Sequence, residues 1–122
     1  MRALVLVAGL AVSAPAFAAD GTYFGKAEYV DGNANSCRGM EYKLVVVGSQ
    51  VTGKLTPYAG SAAAIRDVSG TLAPDGTLNM TYVAGYGSSS GQVSIQLKLD
   101  GDTFTGVSQS QTCKYKVTAK RG

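Results

Sequence analysis

After residue 20, apolar side chains recur at every second position and nowhere at the spacing of a helix face. Val93, Ile95, Leu97 and Leu99 alternate with Ser94, Gln96 and Lys98. Leu78, Met80 and Tyr82 alternate with Asn79 and Thr81, and Tyr115, Val117 and Ala119 with Lys114, Lys116 and Lys120. A period of two puts one set on one face of a β-strand and the other set on the opposite face. A chain patterned this way folds as a sheet with one dry face and one wet face. Eight such runs can be marked: Thr22–Val30, Tyr42–Val47, Gln50–Leu55, Ile65–Leu72, Thr77–Val83, Gln92–Leu99, Thr103–Ser108 and Lys114–Lys120. Gly48-Ser49, Ala73-Pro74-Asp75-Gly76 and Asp100-Gly101-Asp102 are tight-turn signals between consecutive runs, so many of the 16 glycines act as punctuation.

An open sheet of eight strands exposes two edges, and closure into an up-and-down barrel removes them while burying the apolar face inside. The expected fold is therefore all-β, an eight-stranded antiparallel up-and-down barrel. A small β-sandwich is the alternative, and pairing of the first strand with the last decides between them. An outer-membrane barrel is apolar outside. Here Lys43, Lys54, Gln92, Gln96 and Lys98 share the wet face, so the barrel is expected to work in water and not to span a membrane. Gly25, Gly53, Gly70 and Gly106 fall on the dry phase between larger residues. Such glycines kink the strands of a small barrel and make room for opposing tyrosines; the other reading is a ligand approaching bare backbone.

The first 18 residues have the layout of an export signal. Met1-Arg2 is a short positive segment, Ala3 to Val12 is apolar and small, Ser13-Ala14-Pro15 interrupts it, and Ala16-Phe17-Ala18 supplies the small residues of a cleavage site. The run is too short to span a hydrocarbon core of about 30 Å. Residues 1–18 are expected to be a signal peptide, cleaved after Ala18 or Ala19, and residues 19–122 a single barrel domain in the periplasm or the medium. Cys37 and Cys113 are the only cysteines. In an oxidising compartment they read as one disulfide, stabilising by about 4–5 kcal/mol for so long a loop. A metal pair or a reactive thiol has no histidine and no CxxC spacing to support it.

Alternate connections of a meander fall at alternate ends. One end receives the three tight turns. The other receives the long connections Asp31–Glu41, Thr56–Ala64 and Ala84–Gly91, together with both cysteines, so the bridge should tie the junction where first and last strands meet. Arg66 lies at the long-loop end on the dry phase, near Tyr29, Tyr42 and Tyr82, with Tyr58 and Tyr86 in the loops. A guanidinium among phenols suits an anionic or hydroxylated ligand. The plainer reading is an arginine that caps the core, its charge met by Glu41 or by loop carbonyls and its stem packed on tyrosine.

Gly21-Thr22-Tyr23, followed by a hairpin that ends Val51-Thr52-Gly53, resembles the opening of the avidin and streptavidin barrels. The resemblance implies a barrel of the avidin or lipocalin type. It does not carry biotin binding, because those sites use tryptophan and this chain has none. Over residues 19–122 the chain is similar to small exported alphaproteobacterial β-barrel proteins with one distant cysteine pair, a group whose function is unknown.

No enzymatic chemistry is expected. The chain has no histidine, no nucleophile with a visible base and no pair of acids placed across a cleft. Asp75, Asp100 and Asp102 lie in tight turns, where aspartate bonds its own backbone. No cofactor and no metal are implied. The net charge of +3, or +2 once Arg2 leaves with the signal, is too mild for nucleic acid. Two functions remain: a binding module for a small ligand or glycan at the long-loop end, or an envelope protein that binds or inhibits another protein without a ligand pocket.

Overall fold

The computed structural model describes residues 19–32, 37–58, 65–84 and 91–122. Eight strands follow one another: β1 (Gly21–Gly32), β2 (Met40–Val47), β3 (Gln50–Pro57), β4 (Arg66–Thr71), β5 (Thr77–Ala84), β6 (Gly91–Asp100), β7 (Thr103–Gln109) and β8 (Cys113–Arg121). They form one antiparallel sheet in the order β4-β3-β2-β1-β8-β7-β6-β5. β1 pairs with β8, so the all-β barrel is the fold and the two-sheet sandwich is not. No helix is present among the described residues. The signal segment 1–18 lies outside them.

The alternation of the sequence is the alternation of burial. β6 buries Val93, Ile95 and Leu97 and exposes Gln92, Ser94, Gln96 and Lys98. β2 buries Tyr42, Leu44 and Val46 and exposes Glu41, Lys43 and Val47. The dry faces meet in one core that includes Tyr23, Leu44, Leu55, Leu78, Ile95, Phe104 and Val117. β2–β3 and β6–β7 are joined by two-residue hairpins whose first central residues, Gly48 and Gly101, both take φ of 65°, a conformation that glycine adopts without steric cost.

The tight-turn end is packed shut. The Tyr23 and Phe104 rings meet edge to face at 4.8 Å, and the Arg121 guanidinium lies 5.7 Å from the Tyr23 ring centre. Tyr23 Oη donates to the Ala19 carbonyl at 2.7 Å, and Asp20 Oδ1 accepts from the Gly48 N–H at 2.7 Å. Burial raises the Tyr23 pKa, and Arg121 acts against it.

The ladder is interrupted at one place, and it is not where the chain's ends meet. β4 and β5 are the two edges of the sheet and lie side by side without a ladder. The junction between β1 and β8, expected from the sequence to pair and to be tied by the disulfide, is a continuous ladder from Tyr23↔Arg121 to Gly32↔Cys113, with one irregularity between Tyr29 and Asp31. The reason is steric. A Cβ at Gly25 would meet the Thr118 carbonyl, so the bare backbone of β1 is what lets β8 come close enough to pair.

Candidate functional site

The long-loop end differs from the tight-turn end in the chemistry of its interior. Tyr42 on β2, Tyr82 on β5, Ser108 on β7 and Tyr115 on β8 all occupy the inward phase of their strands near that rim, with Met40 beside them. Tyr42 and Ser108 are fully buried, whereas Tyr82 and Tyr115 are half-buried and packed against the core. Tyr82 Oη donates to Met40 Sδ at 3.5 Å. Tyr42 Oη is buried and completes no hydrogen bond of good geometry, although the Ser108 hydroxyl lies near enough to act on it. A hydroxyl in that state costs roughly 1–3 kcal/mol relative to a satisfied one.

The phenols share one electrostatic environment. Burial pushes the Tyr42 pKa far above the ordinary phenol value; the neighbouring Tyr82 and Tyr115 add to the rise, and the Ser108 hydroxyl opposes it. Tyr82 is raised by burial and by Tyr115, and lowered by Arg66. Tyr115 is raised by burial, with the Arg38 backbone acting against it. All of these shifts favour the neutral phenol. At neutral pH the rim therefore offers hydroxyl donors and acceptors rather than charge, with Arg66 as the cation beside Tyr82.

Arg66 is half-buried at the start of β4. Its Nε donates to the Val83 carbonyl at 3.1 Å, and its Nη1 to the Ile65 carbonyl at 3.2 Å. Val83 lies on β5, so the arginine bridges the two strands that no ladder joins. This is the core-capping arrangement with loop and strand carbonyls as partners. Asp67, the next residue, faces the opposite way and pairs with Lys54 at 3.3 Å.

Of the residues that the sequence singles out, Tyr42, Tyr82 and Arg66 come together here. Tyr29 does not join them as a wall. It keeps the inward phase opposite Tyr115, but at 43% exposure it stands at the rim, and its hydroxyl donates to the Gly32 carbonyl at 2.6 Å. The end of β1 is exposed from Glu28 onward, and its register with β8 shifts between Tyr29 and Asp31. Tyr58 is exposed and lies against Gly39, its N–H donating to the Gly39 carbonyl at 3.2 Å. Tyr86 lies outside the described residues. Ser108 and Tyr115 are the additions, and both were readable by counting: Phe104, Gly106 and Ser108 share one phase, as do Tyr115, Val117 and Ala119.

The rim is held by the Cys37–Cys113 disulfide, with Cα atoms 5.5 Å apart. Cys113 opens β8, opposite Gly32 at the end of β1, so the bridge ties the segment after β1 to the start of β8. No group of metal-ligating side chains exists among the described residues. No helix among them is long and apolar enough to cross a membrane. A concavity of about 480 Å³ lies on the outer wall of β2, β3 and β4 rather than at the rim. No protein-family model matches the chain, and neither a curated protein nor a solved structure does.

Proposed function

We propose that the protein is an exported binding module that takes a small hydroxylated ligand, such as the end of a glycan or a small organic acid, at the long-loop end of the barrel. The observation that carries this is the Tyr42 hydroxyl, buried among Tyr82, Tyr115 and Ser108 and without a well-formed hydrogen bond. A buried hydroxyl retained in that state is costly to folding alone. It is useful where a ligand's hydroxyl or carboxylate completes the bond. Arg66 beside Tyr82 supplies a cation for an acidic ligand, while its hydrogen bonds to carbonyls hold the strands in place.

The disulfide supports export to an oxidising compartment, the periplasm or the medium, after loss of residues 1–18. Outward rows of lysine, threonine and glutamine support a barrel that works in water. The second reading is an envelope protein that binds another protein and has no pocket. It is favoured by the filled lower half of the barrel, where Tyr23, Phe104, Leu44 and Ile95 leave no route inward.

The test is Tyr42→Phe in the oxidised protein. It removes only that hydroxyl oxygen, so the variant should fold at least as stably as the parent. A screen of neutral glycans and small hydroxy acids by tyrosine-ring NMR should show saturable shifts at Tyr82 and Tyr115 in the parent, and roughly tenfold weaker binding in the variant for a lost hydrogen bond. A parent that binds none of these probes, or a variant that binds them equally well, sinks the pocket reading.

A further inference from the structure

The concavity on the outer wall belongs to neither the rim nor the interior. Two adjoining outward rows build it, Val45–Thr52–Ser69 and Lys43–Lys54–Asp67, each running across β2, β3 and β4. Gly53 sits between the rows on the inward phase. A Cβ there would come within 2.7 Å of Leu44 and 2.8 Å of Val68, so the core closes directly beneath the bare backbone of β3. The volume of about 480 Å³ falls within the range of small-ligand sites, roughly 300–1,000 Å³.

Two features of this side of the barrel bear on what it can bind. Lys43 is the register partner of Lys54, and like charges directly opposite one another destabilise a sheet. Asp67 relieves Lys54 at 3.3 Å, but Lys43 forms no ion pair among the described residues. Beside it in the same row, Phe24 of β1 pairs with Lys43 on one side and Lys120 on the other, and is 54% exposed. The ring stands outward between two lysines, beside the concavity rather than in its lining, with one edge against Gly122.

We propose that this wall binds a saccharide that carries carboxylates, a short uronic acid oligomer in chemical class. The Phe24 ring stacks on the apolar face of one sugar. The Lys43 ammonium pairs with a carboxylate. The Lys54–Asp67 pair and the hydroxyls of Thr52 and Ser69 donate to and accept from ring hydroxyls. Charge selects the carboxylate. Lys120, Lys43, Lys54 and Asp67 along the row sum to two positive charges, which matches two carboxylates of an oligomer that carries one per sugar, while a phosphate dianion would also face Asp67. From Phe24 to Asp67 is three inter-strand steps of about 4.8 Å each, a span for an oligomer rather than a monosaccharide. One aromatic and two net charges are too little for a nucleic acid strand or a membrane surface. The site uses different residues from those at the rim and does not rest on that reading.

The test uses the oxidised protein and two probes, short galacturonate oligomers and their methyl esters, followed by amide NMR and calorimetry. The acid oligomers should bind saturably, with shifts centred on Phe24, Lys43, Lys54 and Ser69, and binding should weaken as salt rises. The neutral esters should bind at least about tenfold more weakly, the scale of one charge-assisted contact. Lys43→Gln should lose a similar factor and Phe24→Ala several-fold, with unfolding temperatures near that of the parent because both side chains are exposed. The proposal is overturned if the acid oligomers do not saturate, if the esters bind as well, if Lys43→Gln has no effect, or if the shifts centre on Tyr82 and Tyr115. That last result would instead support the rim as the glycan site.

Discussion

The barrel closes on itself at two junctions of opposite character. β1 and β8 stand at the two ends of the described chain, yet they share a ladder from Tyr23↔Arg121 to Gly32↔Cys113. The ladder is fastened at the rim by Cys37–Cys113, and at the other end by Gly122 N–H to the Thr22 carbonyl and by Arg121 Nη1 to the Asp20 carbonyl at 3.2 Å. β4 and β5 are sequence neighbours joined by a short turn, and they share no ladder. One arginine spans them near the rim, and near the turn Gly70 lies under the side chains of Leu78 and Met80. The comparison separates proximity in sequence from pairing in space. The distant junction must offset a large loop-closure entropy and does so with hydrogen bonds and a covalent tie. The near junction costs little to form and is held by side-chain contacts and by the backbone hydrogen bonds of its turn, Ala73 N–H to the Thr77 carbonyl among them. As sheet edges, β4 and β5 are also guarded: β4 has only six residues and carries Asp67 and Arg66.

The largest expected effect breaks the distant junction. Replacing both cysteines, Cys37→Ser with Cys113→Ser, should lower unfolding free energy by about 4–5 kcal/mol through the freed loop, read from urea denaturation. If the oxidised parent and the double variant unfold at the same midpoint, the disulfide is not what supports that junction. Next comes the paired substitution Gly25→Ala and Gly70→Ala. A Cβ at Gly25 meets the Thr118 carbonyl and the Ala119 Cα, backbone atoms that cannot turn aside. A Cβ at Gly70 meets Leu78 Cδ1 and Met80 Cγ at 2.9 Å, together with the Asn79 carbonyl at 2.9 Å. Two of those three contacts are side chains that can give way, and no ladder joins β4 to β5 there, so Gly25→Ala should cost more, roughly 1–3 kcal/mol or above on the scale of overpacking. Equal losses would show that the near junction is as rigid as the distant one.

Arg66→Ala tests the near junction from its other end. Loss of the bond to Val83 should cost about 1 kcal/mol, with the stem's packing adding to it. Its signature is local: amide exchange should quicken in β4 and β5 while β1 and β8 keep the protection of the parent. Uniform quickening would mean that Arg66 supports the whole barrel rather than the seam.

Much of this was legible in the sequence because burial follows parity. The eight marked runs coincide with the eight strands to within two residues at each end, since each dry face had to alternate to be dry. The disulfide was legible as well, because a chain with two cysteines has one intramolecular pairing. The location of the open edge was not. Hydrogen bonding between strands leaves no trace in the alternation of a single strand, and β4 and β5 alternate like their neighbours. Tyr29 shows a second blind spot. Its phase was read correctly, but phase does not report where the buried part of a strand ends, and in β1 it ends at Ala27, two residues before the ring. The concavity on the outer wall was hidden for the opposite reason. Lys43, Lys54 and Phe24 are far apart in sequence and become one row only through register.

The smallest effect concerns the turn that joins β4 to β5. Asp75 Oδ1 accepts from the Thr77 N–H at 3.0 Å, and the Gly76 N–H donates to the Ala73 carbonyl at 2.9 Å. The hydrogen bonds from Thr77 hold the Asp75 carboxyl below its ordinary value of 3.8. The native state therefore binds fewer protons than the unfolded chain in the interval below 3.8. The stabilisation is fully present above that value and is lost as pH falls through the lowered native value. Asp75 is exposed, so solvent keeps the effect small. Asp75→Asn preserves the turn's side-chain acceptor without a titrating group. Thermal unfolding of parent and variant from pH 6 to pH 2 should then show a small advantage of the parent that closes as Asp75 takes up its proton, while the other carboxylates titrate alike in both and cancel. Amide exchange adds the spatial test. Acid should loosen the Thr77 N–H and the start of β5 relative to the variant, and leave the β1–β8 ladder unchanged, because no carboxylate of that ladder depends on Asp75. A parent and variant whose difference stays constant across the range would show that the turn is held by its backbone bonds alone, and that the near junction has no ionic component at this end.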